Sequence, residues 1–184
     1  GILKFFFFFS MFAVEASVSR DELLRAGQKE VLALAARGAP VQEVIASLVR
    51  AAQAVTAEGA RAAVFIFDPE AACLRFLAAH GMSTAYTSAV DRFAIGPHQP
   101  SCGKAAFTGN EVIVGDVAQD EQWQPYLALA IEHDIRACWS FPLKSPAGDM
   151  LGTFALYHRS PRKPDAAEYE EVKFCANIAA LVSG

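Results

Sequence analysis

The stretch "PSCGKAAFTGNEVIVGDVAQDEQW", Pro100 to Trp123, gathers the residue types most able to do chemistry. Cys102 follows Pro100 and Ser101 at the expected start of a helix. There the helix dipole favours the thiolate and so a nucleophilic thiol. The competing reading makes Cys102 a small buried residue that packs the helix start. The four cysteines, at 73, 102, 138 and 175, are widely scattered, with no C-x-x-C and no paired histidines at ligand spacing. No structural zinc site is expected from such spacing. Free thiols in a reducing cytoplasm are its simplest meaning. Asp116 stands between a strand and a turn, where a carboxylate caps backbone N–H groups or accepts a hydrogen bond from a ligand. Trp123 and Tyr126 flank Pro125, placed to stack on a flat ligand or to cover a sheet.

Further along, "RACWSFPL" alternates. Cys138 and Ser140 share one face of a strand, and Trp139 and Phe141 share the other. Ser140 then offers one hydrogen bond in an otherwise apolar pocket. On the following strand Phe154 and Leu156 share a face, with Thr153 and Tyr157 opposite. Phe154 is the candidate lining residue there, and which face meets a cavity stays open. No Ser/His/Asp order, no paired carboxylates and no phosphate-cradling glycine loop emerges.

The elements that must position these residues follow from periodicity. Arg20 to Ala36 reads as a helix, with Ser19 as N-cap and Glu22 completing a capping box. Val41 to Thr56 is a second helix, apolar at 41, 44, 45, 48, 52 and 55. The period then changes. "ARAAVFIFD" (60–68) is a continuous apolar run that suits a strand covered on both faces, and "CLRFLAA" (73–79) pairs with it as a hairpin. Ser83 to Phe93 is expected to be a short helix. Cys102 to Thr108 is another, stopped by Gly109, and Glu111 to Val114 is a short strand. Residues 120–135 become helical after Pro125. Arg136 to Lys144 and Met150 to Arg159 form a second hairpin, with Pro142 marking an edge or a bulge. A long helix from Asp165 to Ser183 is apolar on two faces and so needs two partners.

Composition sets the frame. The chain has 184 residues, 53% of them hydrophobic, and a net charge of −4. That is enough apolar material for one domain with a sizeable core, and it excludes a disordered chain. The longest basic cluster is "HRSPRK", broken by Pro161, so no nucleic-acid footprint is expected. The first 18 residues form an atypical Phe-rich segment ahead of the domain at 19–184. It is too short and too interrupted to span a membrane. It reads either as a short signal peptide with Val14-Glu15-Ala16 at its cleavage site, or as residues 1–10 preceding a start at Met11.

Three segments resemble the GAF domain, the small-molecule sensing module of bacterial signalling proteins and cyclic-nucleotide phosphodiesterases. "ARAAVFIFD" resembles its first strand. "SCGKAAFTGNEVIVGDVAQDEQW" resembles its S-C-G, A, G, V-x-D and aromatic pattern. "HDIRACWSFPLKSPAGDMLGTFALYHRSPRKP" resembles its helix, strand to Pro, Gly turn and L-G-T-F-A-L-Y strand. The resemblance covers about residues 25–183. It implies an α+β fold, PAS-related, with a central antiparallel sheet of five or six strands, helices on both faces, and terminal helices that bundle in a homodimer. It also implies a sensing or relay role, with an unidentified small-molecule ligand, an output domain or partner protein, and no resident cofactor. Cys102, Asp116, Trp123, Tyr126, Cys138, Ser140 and Phe154 are the candidate ligand-binding residues. One GAF family, the free methionine-(R)-sulfoxide reductases, uses a cysteine in a G-V-C-G stretch that Ser101-Cys102-Gly103 matches in part. This makes a thiol reductase acting through Cys102 the enzymatic alternative, and a ligand-free dimerisation domain the other. A haem-binding relative would draw its axial ligand from His98, His133 or His158. No cysteine precedes a histidine as in bilin-binding members.

Overall fold

The computed structural model describes residues 19–56 and 60–184. The expectations for the Phe-rich segment fall outside that range. Helix α1 (Arg20–Ala36) starts at the capping box of Ser19 and Glu22, and α2 (Val41–Val55) follows Pro40. Strands β1 (Arg61–Asp68) and β2 (Cys73–His80) form the first hairpin. The Asp68 carboxylate closes its turn by accepting the amides of Glu70 and Ala71. Then come α3 (Thr84–Ala89), β3 (Phe93–Ala94), α4 (Ser101–Thr108) and β4 (Val112–Val114). Two 3-10 turns lead into α5 (Leu127–Glu132). The second hairpin is β5 (Ala137–Lys144) with β6 (Met150–His158), and α6 (Ala166–Ser183) completes the chain.

The six strands lie in the order β3-β2-β1-β6-β5-β4, and each neighbouring pair is antiparallel. This is the α+β architecture the sequence implies, with six strands. Pro142 lies past Ser140, the last β5 residue paired with β4, so its missing N–H removes no ladder bond on that side. Gly152 sits where β6 meets β1 so closely that a Cβ would fall 2.0 Å from the Phe65 carbonyl oxygen. No side chain fits there.

The sheet is covered on both faces. On one face α2 and α6, backed by α1, bury Val64, Trp139, Phe141, Leu143, Phe154 and Leu156. On the other, α3, α4, α5 and the segment around Trp123 bury Phe65, Leu74, Cys138, Ala155 and Tyr157. This explains the near-continuous apolar runs of β1, β5 and β6, since a strand buried on both sides has no polar face to alternate. Helix α6 buries Val172, Cys175, Ala176 and Ala179, while Phe174 and Leu181 on its second face stay exposed.

One expectation changes between β2 and α4. The helix proposed over 83–93 ends at Ala89. The Asp91 carboxylate accepts the amide of Phe76 on β2, and Arg92 turns to φ +62°. The chain then has only Phe93 and Ala94 left to pair with Cys73 and Leu74.

His158, at the end of β6, is 2% exposed, and its ring lies 4.1 Å from that of Trp139. Burial, then the positive charges of Arg162 and Arg61, push its pKa down from 6.5 to about 4. The unfolded chain therefore binds the extra proton between pH 6.5 and 4, and stability falls as pH drops through that window. The loss attributable to this one residue is up to about 3 kcal/mol. Urea unfolding from pH 7 to pH 4.5 should show a shallower decline in His158→Leu than in the parent protein. Equal slopes refute the assignment.

Candidate functional site

Between the sheet and the α3–α5 layer lies a small cavity of about 40 Å³. Phe65, Leu74, Cys138 and Tyr157 line it from the sheet. Pro100, Ser101 and Cys102 line it from the start of α4. Tyr86, Val90 and Phe93 form one wall, and Trp123, Tyr126 and Leu129 form the roof. The sheet permits this because small side chains face α4. Ala63, Ala155 and Ser140 are cross-strand neighbours on β1, β6 and β5. Helix α4 settles onto that row until the Cys102 sulfur stands 3.0 Å from the Ser140 hydroxyl. Cys138 is 3.8 Å from the same hydroxyl. Gly109, in the left-handed region at φ +69°, then ends α4.

The roof is stitched by neutral hydrogen bonds. Trp123 Nε1 donates to the buried Ser101 hydroxyl at 2.9 Å, and the Tyr126 hydroxyl donates to Gln99 Oε1 at 3.3 Å. The rings of Phe93 and Tyr126 meet at 5.4 Å. At the far end of α5, the Arg61 guanidinium, itself buried, donates to the carbonyls of His133 at 2.5 Å and Asp134 at 2.7 Å. These carbonyls lie just past the C-terminus of α5, where the helix dipole favours a cation. Arg159 adds an ion pair to Asp134 at 2.8 Å.

Of the seven candidate residues, Cys102, Trp123, Tyr126 and Cys138 line this cavity. Ser140 lies just beneath, bonded to both thiols. Two candidates do not belong. Phe154 points to the opposite face of the sheet, into the core under the helices, because the Thr153–Tyr157 set faces the roof. Asp116 is outside the cavity. Its carboxylate accepts the Ala118 amide at 3.1 Å and pairs with Arg136 at 3.7 Å, so it shapes the turn after β4. Among the histidines, His98 is exposed, His133 bonds Ser83 outside the lining, and His158 is on the other face. None is placed to ligate a group held in the cavity. The sequence reading missed Tyr86, Tyr157, Phe65 and Arg61. Arg61 left a signal, as the one charge in the run "ARAAVFI".

The electrostatics of the lining are simple. The described lining residues include no Asp, Glu, Lys, Arg or His. Burial raises the Cys102 thiol pKa, against smaller opposing effects of its bonds to Ser140 and Thr153. Burial, then the neighbouring Cys102, raises that of Cys138. Burial likewise raises Tyr86 and Tyr157. All four groups are neutral at pH 7. Cys102 is half-buried, and a protonated thiol without an adjacent base is a poor nucleophile. All four cysteines carry free thiols. No group of three or more His, Cys, Asp or Glu side chains in metal-binding reach occurs among the described residues. Likewise no described helix is long and apolar enough to cross a membrane.

Alkylation of Cys102 by iodoacetamide in the folded protein should be slower at pH 7.5 than that of a free thiol, and its rate should keep rising with pH beyond 9. Peptide mapping of a pH series checks this. A rate that levels off below pH 8 would contradict the burial argument.

The GAF domain model matches residues 38–182. A methyl sulfide methyltransferase-associated sensor from Methanosarcina acetivorans is 31% identical over 160 residues, 87% of this chain. The chain spans only 16% of that relative's length. A solved domain of a two-component sensor histidine kinase protein from Sinorhizobium meliloti is 25% identical with a TM-score of 0.64, covering 77% of this chain and 89% of that one. The free methionine-R-sulfoxide reductase of Neisseria meningitidis, 17% identical, shares the fold at a TM-score of 0.65 over 91% of this chain and 94% of its own. The segments resembling the GAF pattern, the six-stranded antiparallel sheet and the family model agree: the chain belongs to the GAF domain family.

Proposed function

We propose that this chain is a sensory module that holds a small molecule between its sheet and the 93–135 segment and relays occupancy through its terminal helices. The observation that carries this reading is the double use of β5. Cys138 and Ser140 face the cavity region, while Trp139 and Phe141, the alternate side chains of the same strand, lie beneath α2 and α6. A guest that moves the cavity floor therefore moves the seat of the terminal helix. The exposed Phe174 and Leu181 on α6 support a homodimer through the terminal helices, which would pass the change to an output domain or partner protein. The relatives named as sensors support the same role. Relay requires a guest with different affinity for two arrangements of the roof.

The thiol-reductase alternative has the fold and two thiols in its favour, and the cavity chemistry against it. A free amino acid carries an ammonium and a carboxylate, and an unpaired buried charge is costly. No described lining side chain carries a countercharge, and Cys102 is held protonated. A ligand-free dimerisation domain is the remaining alternative.

Native mass spectrometry of protein purified from its own host should detect a retained small molecule, and light scattering at high concentration should report a dimer. A guest-free protein that stays monomeric at every concentration removes the sensory reading. Turnover of free methionine sulfoxide that is lost in Cys102→Ser restores the enzymatic one.

A further inference from the structure

The cavity selects its guest by charge and by size. Its volume of about 40 Å³ corresponds to roughly three water-sized volumes at about 10–15 Å³ each. Six of its lining residues are aromatic: Phe65, Tyr86, Phe93, Trp123, Tyr126 and Tyr157. The buried cation of β1, Arg61, lies outside the lining, and its two terminal nitrogens donate to the carbonyls of His133 and Asp134. A polar strip forms where the Ser101 hydroxyl and the thiols of Cys102 and Cys138 come together over Ser140, while the Tyr126 hydroxyl is taken up by Gln99 and the Tyr86 and Tyr157 hydroxyls by each other. Those groups are neutral donors and acceptors, and aromatic surface covers the rest.

We infer that the guest is an uncharged molecule of about three to five non-hydrogen atoms with a single hydrogen-bonding end, the class of short alcohols, thiols and ketones. This deepens the sensory reading and rests on it. Nucleotides, amino acids and carboxylates are excluded, because each brings a charge that the lining leaves unpaired in a water-poor space. The polar end of the guest lies against the Ser101–Cys102–Cys138 strip, and its carbon atoms lie against the rings.

The two tryptophans provide a test that reads both faces of the sheet, since Trp123 lines the cavity and Trp139 lies on the opposite face. Protein labelled with 5-fluorotryptophan gives two fluorine resonances, assigned with Trp139→Phe. Titration with propan-2-ol or acetone should move the Trp123 resonance saturably, and a Trp139 resonance that follows it reports the proposed relay. Acetate, of the same size and shape, should bind at least about tenfold more weakly. Replacing half-buried Leu129, in the roof, by arginine (L129R) should bring acetate binding up by a similar factor. Acetate acting on the parent protein as strongly as propan-2-ol overturns the inference and leaves the sensory reading standing. So does a saturable response confined to guests much larger than five heavy atoms. No saturable response to any neutral probe overturns it as well. Hydrogen exchange of α6 followed in the same titration separates the two claims. A selective Trp123 response with α6 exchange unchanged supports the inference and sinks the relay.

Discussion

Strand β5 must satisfy two cores at once, and the rest of the molecule is arranged around that requirement. Trp139, Phe141 and Leu143 need a helical cover, which α2 and α6 supply, while Cys138 and Ser140 need a roof that tolerates sulfur and one hydroxyl. Because side chains on a strand alternate with period two, neither row can be changed by slipping the strand without exchanging both. The register with β6 carries the requirement across the sheet. Leu156 lies beside Trp139 on the helix side, and Ala155 lies beside Ser140 on the roof side. The small residues of that second row let α4 approach, and α4 brings Cys102 to Ser140. The cavity is the space this approach leaves beside α4, closed by Trp123.

The roof is held by two kinds of interaction that differ in strength. At the α5 end, the buried Arg61 grips two backbone carbonyls, and Arg159 pairs with Asp134. Breaking the Arg61 contacts would leave a buried guanidinium without partners, which costs several kcal/mol. At the Trp123 end the ties are neutral, Trp123 to Ser101 and Tyr126 to Gln99. Such bonds contribute only about 0.5–1.5 kcal/mol each, and a guest can replace them. The polar ties of the roof are therefore strong at the Arg61 end and weak at the Trp123 end, where the burial of Trp123 itself holds the roof down. The strained φ of Ser101, +30°, sits at the Trp123 end.

Much of the fold was legible because local chemistry and global packing agree there. The Ser19–Glu22 capping box starts α1 at the expected residue, and β1, β5 and β6 appear as apolar runs because both their faces are covered. The two-residue β3 was not legible, since its existence depends on Asp91 meeting the Phe76 amide, a contact between distant parts of the chain. The site was half legible for a related reason. Alternation separates Cys138 and Ser140 from Trp139 and Phe141, and Phe154 from Tyr157. It does not say which set faces the roof, and the candidate Phe154 lies in the core on the other face. The deciding fact is the aromatic wall of Tyr86, packed edge-on against Tyr157 at 5.5 Å, which no spacing in the sequence announces. Helical position alone also misleads for Cys102, because desolvation, which the spacing does not show, pushes its thiol pKa up.

The link from the cavity to the terminal helix is short and physical. Trp139, the residue after Cys138, donates its indole N–H to the Arg162 carbonyl at 3.0 Å, and the Arg162 guanidinium lies 5.3 Å over the same indole ring. Arg162 also pairs with Glu168, and Glu168 forms with Asp165 the capping box that starts α6. The first turn of α6 is thus seated on the back of the strand whose front face carries the Cys138 thiol. Packed interiors do not deform smoothly, so a displacement of Cys138 has few places to go. In the proposed relay the stiff indole next to it would pass that displacement to Arg162, and the Arg162–Glu168 pair would pass it to the helix start. Energetic coupling needs an element with two arrangements that both ends can bias. The proposed relay requires the roof to be that element, tied by Arg61 at one end and by the neutral bonds of Trp123 and Tyr126 at the other.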